Sequence, residues 1–552
     1  MTDANVLRTI VALSLVLHSS AAAQNDAPAS AARDTSAALE SITAPHVRAH
    51  LGFLADDVLE GRAPGTRGGD LAAHYVATRF ERIGLQPVDG SYFQSIPFTA
   101  WKPLPDSIVA EFGARERRTV LRYPDDFVLW TESAARSSQV SADVVFVGFG
   151  IVAPEFGWND YGPIDVRGKV VLILSGEPAS PPDRPDLFDG EHLTIHGRWN
   201  TKLEEAGRRG AAAALLIHSP GAAGYAWSVV ESSWTGERLS LSESPGLMAS
   251  VPVLGWIREG AARALAAAGN RSLTDLTRLA STGRARPVPL GVRFLARIAG
   301  ERRTFESPNV IGILPGSDAR SDGEQVVVIA HYDHLGIGPP VGGDSIYNGA
   351  YDNASGVAVL LEVAEALTVL ERAPARSVLF LATTAEEAGL LGARHYVRNP
   401  VVPIAQTVAA INIDGASLWG ETRDMIALGG NRSTLGETVR TRARHLGRFA
   451  VPEPAPEKGL FFRTDQAPFA RAGVPAVAIQ HGTDFVDRPP GWGATFLARW
   501  EALNYHRPSD ELPLDADLSG AVLQARLALL VVLDAASGPR PRPYRPPDTT
   551  RQ

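Results

Sequence analysis

From about Glu306 onward, short apolar runs alternate with helical stretches, and this alternation restricts the possible fold more than any other feature. The runs QVVVIA, SVLFLATTA and TVAAINI are continuously apolar, as expected of strands buried on both faces. Between and after them, SGVAVLLEVAEALTVLE and GLLGARHYV read as helices, and a last helix runs through Val522–Val532. Strands and helices in this order give an α/β fold built on a mostly parallel, doubly wound sheet with helices on both faces.

Upstream the texture differs. A Gly-rich turn, EGRAPGTRGG, opens an amphipathic helix from Asp70 to Gly84, with Leu71, Tyr75, Val76 and Phe80 at helical spacing. Near Val140 a second, smaller α/β unit begins, with strands SADVVFVGFGI, GKVVLILSG and VPVLGWI and helices at Lys202 and Glu259. Six segments follow: a leader over 1–23, a flexible lead-in over 24–38, a first part of the main domain over 39–138, an inserted domain over 139–295, a second part over 296–537 carrying the chemistry, and a disordered tail over 538–552. The leader rests on Arg8, the apolar run Thr9–Leu17 and the small residues after it, a secretory pattern too short to span a bilayer.

The chain has 552 residues, a net charge of −8 and no cysteine. The missing cysteine excludes disulfides, thiolate metal sites and a Cys nucleophile, so any metal must use His, Asp and Glu. A leader without cysteine fits a bacterial periplasm or exterior. Mild acidity gives no footprint for nucleic acid, and no internal stretch reaches the ~18 apolar residues of a membrane span. The sequence leaves the oligomeric state open.

In open α/β sheets the working groups gather beyond the carboxyl ends of the strands. Here those ends carry His331 and Asp333, Glu386 and Glu387, and Asp414, while Asp352 opens the helix after the first of these strands. NYHRPSDE supplies Tyr505, His506 and Asp510 farther on. Taken singly, each has an ordinary explanation: a capped loop, a helix cap, a surface histidine. Together at one sheet edge, two imidazoles and a surplus of carboxylates suit two divalent ions, most simply zinc.

The segments AHYDHLG, GAYDNASGVAVLLEVAEAL, TTAEEAGLLGARHYV, INIDG, RTDQAPFARAGVPAV and NYHRPSDE, with LADDVLEGRAPGTRGG before them, resemble the zinc-dependent aminopeptidase and glutamate-carboxypeptidase-like family of co-catalytic metallopeptidases. The inserted unit resembles a protease-associated domain. The resemblance implies two Zn2+ ions per chain. His331 and Asp414 would hold one, Glu387 and His506 the other, with Asp352 and a water or hydroxide bridging them. It implies Glu386 as general base, Asp333 as the group orienting His331, and the Tyr505 hydroxyl as a stabiliser of the oxyanion. His334 reads as a loop residue and Asp510 as a helix cap. His192 and His196, at i and i+4, lie among residues that disfavour a helix, and His481 has no fixed role. Gln466 stands where the family often has histidine.

The expectation is a secreted or periplasmic zinc exopeptidase acting on peptides from the N-terminus. Three alternatives stay open: a carboxypeptidase of the glutamate-carboxypeptidase type, a glutaminyl-cyclase-like transferase with one zinc, and a non-catalytic binding protein on the same scaffold. Aminopeptidase is preferred because no dedicated Arg or Lys cluster for a C-terminal carboxylate is visible.

Overall fold

The computed structural model describes residues 26–544 apart from 115, 134, 244, 245, 284, 285 and 322. The expected leader lies outside the described residues. The strands anticipated in the second half form as Gln325–His331, Ser377–Thr383 and Thr407–Asn412, joined by Ala476–His481. Neighbours in the order 377–383, 325–331, 407–412, 476–481 are parallel, and antiparallel strands flank this core on both sides. Successive side chains point to opposite faces of a strand. Accordingly Val326, Val328 and Ala330 enter the core beneath helices Ser355–Thr368 and Ser519–Ser537, whereas Val327 and Ile329 enter the opposite core with Tyr396 and Phe469. Helix Ser519–Ser537 is long and apolar enough to cross a membrane, yet here it is packed inside the body.

A second body is built round strands Ser137–Phe146, Val170–Leu174, Ala213–His218 and Val253–Arg258, paired parallel in that order. Strand Phe127–Trp130 adds antiparallel at its edge, and Val109–Ala114 pairs into the same sheet region. These strands lie upstream of Val140, where the sequence texture changes. The core of this body takes in Trp130, Trp234 and Trp256, with Trp199 packed against it.

One strand of 27 residues, Val288–Leu314, belongs to both bodies. Its first half pairs with Ser137–Phe146 and its second half with Phe93–Pro103 and Ser377–Thr383. The boundary between 295 and 296 therefore falls inside a single strand. The polar run GERRTFES conceals this, because the middle of the strand is exposed. Strand Arg238–Leu241, from the second body, also pairs with Phe93–Pro103 and brings Leu241 against Ala385 and Leu391.

Both chain ends depart from the compositional expectation. The lead-in is helical over Asp26–Ser41, consistent with its alanine content, since alanine is the best helix former. Ala38 is buried, and Asp34 accepts the Glu371 backbone N–H at 3.1 Å. Residues 538–544 are likewise held: the Arg542 carbonyl accepts from the Thr434 N–H at 2.9 Å, and the Tyr544 hydroxyl bonds Glu437 at 2.6 Å. Residues 545–552 lie outside the described residues.

Candidate metal centre

The three central strands end in a shared acidic site. His331 closes Gln325–His331, Glu386 and Glu387 follow Ser377–Thr383, and Asp414 follows Thr407–Asn412. Asp352 lies in a non-helical turn, φ −111° and ψ 94°, just before helix Ser355–Thr368. This turn is held by Asp510, whose two carboxylate oxygens accept the backbone N–H groups of Tyr351 at 2.9 Å and Asp352 at 3.1 Å. Asp510, read from the sequence as a helix cap, instead fixes the loop that aims Asp352.

The two Asp352 oxygens face different imidazoles. Oδ1 lies 3.2 Å from His331 Nε2 and Oδ2 lies 3.2 Å from His506 Nε2. His331 Nε2 is also 3.5 Å from Asp414, and His506 Nε2 is 3.1 Å from Glu387. Two three-membered groups thus share one carboxylate. A tetrahedral zinc with bonds of about 2.0–2.1 Å has donor atoms about 3.3 Å apart, close to these separations. His506 Nε2 is buried without a hydrogen bond, and His331 Nδ1 donates to the Asp333 carbonyl oxygen at 3.1 Å. With its proton on Nδ1, His331 turns an Nε2 lone pair toward two carboxylates, an arrangement that calls for a cation. The donor set and its spacing fit two divalent ions.

Asp333 contributes differently from expectation. Its carbonyl, not its carboxylate, is the near partner of His331; the carboxylate lies 3.8 Å from Nδ1 and accepts the Glu386 backbone N–H at 3.1 Å. Asp333 therefore ties the loop bearing His331 to the loop bearing Glu386. The Glu386 carboxylate makes no hydrogen bond to protein among the described residues, and the residue is half-buried. Tyr505 is exposed, and its ring stacks on His506 with centroids 3.9 Å apart.

The electrostatics follow from burial and crowding. Burial pushes the Glu386 carboxyl well above its ordinary pKa, with Asp414, Glu387 and Asp465 adding to the rise against the pull of His331. Burial likewise raises Asp333 to about 7. Burial opposes the charge on His506, but Glu387 and Asp352 lift it to about 10. Against its own burial, Glu387 is drawn down to about 2 by His506 and His334.

Three contributors were missed in the sequence. His334 is buried, with Nδ1 2.7 Å from Glu387 Oε1, and it sits in a possible metal-holding group with Asp352 and Glu387. Arg62 is fully buried and donates to the carbonyls of Tyr332 at 2.8 Å, Asn348 at 2.5 Å and Gly349 at 3.0 Å, and to that of Leu54. Burial lowers Arg62 to about 10, with Asp510, Asp333 and Asp352 opposing the fall, so a permanent cation underlies the acidic site. An aromatic group forms the third: Trp419 and Trp500 pack on Tyr351, whose hydroxyl meets His481 Nε2 at 3.1 Å.

Other sequence candidates are occupied elsewhere. Gln466 spends its amide internally: Nε2 donates to the Phe461 carbonyl at 2.6 Å, and Oε1 accepts from Asn412 and Thr464. His196 pairs with Glu155 at 2.7 Å and His192 is half-buried. Both line a cavity of about 680 Å³ between the two bodies, with Arg432, Phe461 and Tyr544, and this cavity contains none of the residues that surround Asp352.

The structure is an α/β scaffold with the candidate metal centre at the carboxyl ends of its parallel strands. A solved aminopeptidase from Aneurinibacillus sp. strain AM-1 shares the fold, with a TM-score of 0.54, 19% identity, and coverage of 92% of this chain and 97% of that one. Residues 309–530 match Peptidase family M28, and this stretch contains His331, Asp352, Glu386, Glu387, Asp414 and His506. Aminopeptidase YwaD of Bacillus subtilis is 29% identical over 212 residues, covering 37% of this chain and 40% of its own. Leupeptin-inactivating enzyme 1 of Streptomyces exfoliatus is 30% identical over 210 residues, covering 37% and 43%. The matched stretch thus spans less than half the length of either relative. These matches bear out the family resemblance drawn from the motifs.

Proposed function

We propose that the chain is a dinuclear zinc exopeptidase that removes residues from the N-termini of peptides. The carrying observation is the Asp352 carboxylate, whose two oxygens each face a different imidazole at 3.2 Å. In this reading His331 and Asp414 hold one ion, Glu387 and His506 the other, and Asp352 both. Two zinc ions bound there supply Lewis-acid polarisation of the scissile carbonyl and lower the pKa of an attacking water.

The chain's own groups do the rest. Glu386, adjacent to a metal-holding residue and without a protein partner, takes the proton from the attacking water. It returns that proton to the amine nitrogen as the C–N bond breaks. The Tyr505 hydroxyl donates to the oxyanion that forms at the former carbonyl oxygen. Asp333 positions Glu386 and Asp510 positions Asp352 through backbone N–H bonds, and His334 orients Glu387. An acidic cleft receives a free N-terminal ammonium, which supports action at that end. The Thr9–Leu17 run supports export of the mature chain, and the second body is assigned as a protease-associated module.

The test is a mixture of free and N-acetylated peptides incubated with the zinc-loaded protein and followed by mass spectrometry. Stepwise shortening from free N-termini, blocked by acetylation, is expected. Trimming from the carboxyl end would reassign the chain as a carboxypeptidase.

A further inference from the structure

Helix Ser355–Thr368 is buried on nearly every side, and its run of apolar residues is broken by Glu362, which is 3% exposed. A carboxylate in such a setting needs a counter-charge or a set of donors. Glu362 has neither in full: its Oε1 is buried with no hydrogen bond.

Two histidines face it from helix Ala44–Leu54, one turn apart. His50, also 3% exposed, places Nε2 3.5 Å from Glu362 Oε1, and His46 places Nδ1 3.8 Å from Oε2. Neither contact closes as a hydrogen bond. The other nitrogen of His50 meets the Tyr75 hydroxyl at 2.8 Å, which leaves Nε2 directed at the carboxylate. Glu365, one turn farther along the same helix, brings a second carboxylate to within 4.8 Å of the His50 and Glu362 donor atoms. Arg79 and Arg82 approach Glu365 at 3.8 and 3.7 Å, so they offset that carboxylate and leave Glu362 uncompensated.

We propose that His46, His50 and Glu362, with Glu365, hold a divalent ion of the zinc class that pins helix Ala44–Leu54 to helix Ser355–Thr368. Two imidazoles and carboxylate oxygens are a zinc donor set, and donor separations of 3.5 and 3.8 Å lie near the edge of about 3.3 Å of a tetrahedral site. The Tyr75 hydroxyl acts as the outer partner that fixes the ring of a metal-bound histidine. His46, 59% exposed, gives the ion a route from solvent. The site shares no residue with the cluster round Asp352, so its role is structural.

The test is zinc content per chain, measured by atomic emission after zinc loading and desalting. Wild type is compared with His46→Ala and Glu362→Gln. One equivalent fewer in either variant, with peptide turnover kept within about two-fold in His46→Ala, is the expected result. Equal zinc in wild type and both variants overturns the proposal. If Glu362→Gln fails to fold, the exposed His46→Ala decides alone. Anomalous diffraction at the zinc edge gives a second readout. A peak between His50 and Glu362 supports the site; peaks beside Asp352 with none there overturn it.

Discussion

Each body of the molecule gathers buried ionisable groups beyond the carboxyl ends of its parallel strands. In the second body Phe149 follows Ser137–Phe146 and Glu177 follows Val170–Leu174, with Asp160 close by and Lys202 reaching in from helix Trp199–Arg208. Lys202 Nζ donates to the Phe149 carbonyl at 2.5 Å, Glu177 accepts from the Thr194 N–H and hydroxyl at 2.8 and 2.7 Å, and Asp160 accepts from the Ile151 N–H at 3.0 Å. That cluster carries its own cation and satisfies its oxygens. The cluster round Asp352 has four carboxylates in Asp352, Glu386, Glu387 and Asp414, and its one permanent cation, Arg62, is spent on carbonyls. The same topological position therefore holds a hydrogen-bonded cluster with its own cation in one body and a set of unpartnered metal-type donors in the other.

The largest break in this contrast comes from Asp352→Ala, which removes the shared carboxylate. Zinc content beside it and peptide turnover should both fall to background. Glu386→Gln should keep its zinc and lose about 10²–10⁴-fold in turnover, measured against metal content in the same preparation. In the second body, Lys202→Met removes the buried donor to the Phe149 carbonyl, and stability should drop by about 1–3 kcal/mol in denaturant titration while zinc content stays level. Asp333→Asn should cost about 10–100-fold in turnover or metal affinity through the loops it joins.

The smallest effect concerns pH. Burial raises Glu177 to about 7 from its ordinary 4.5, against the hydrogen bonds from Thr194. A group whose folded pKa is raised binds its proton more tightly in the folded state. Its contribution is fully present below pH 4.5 and fades as pH climbs through about 7. Thermal melting followed by tryptophan fluorescence should show this decline in wild type, and Glu177→Gln should flatten it.

The ligand-type residues were legible because each closes or follows an apolar run that can only be a buried strand. His331, Glu387 and Asp414 carry that signal, and their convergence follows from parallel topology alone. Arg62, His334 and Asp510 carried no such signal. Arg62 acts on three carbonyls 270 to 287 residues away besides that of Leu54, and Asp510 on a backbone N–H 158 residues away. Contacts at such separations leave no periodicity to read. Composition misread both ends for a related reason: whether Ala38 or Tyr544 is ordered depends on the surface it meets, not on its neighbours in sequence. The polar stretch at Glu301–Glu306 hid a strand because both of its faces are largely wet, so hydrophobic patterning had nothing to report.

The strand Val288–Leu314 has a mechanical corollary. Two bodies that share one continuous strand are held there by backbone ladders, not by a free linker. Rocking one against the other would require shearing backbone hydrogen bonds on both sides of the same strand. Removing the second body would strip the partners from the first half of that strand and leave an open, aggregation-prone edge attached to the sheet that carries the candidate metal centre.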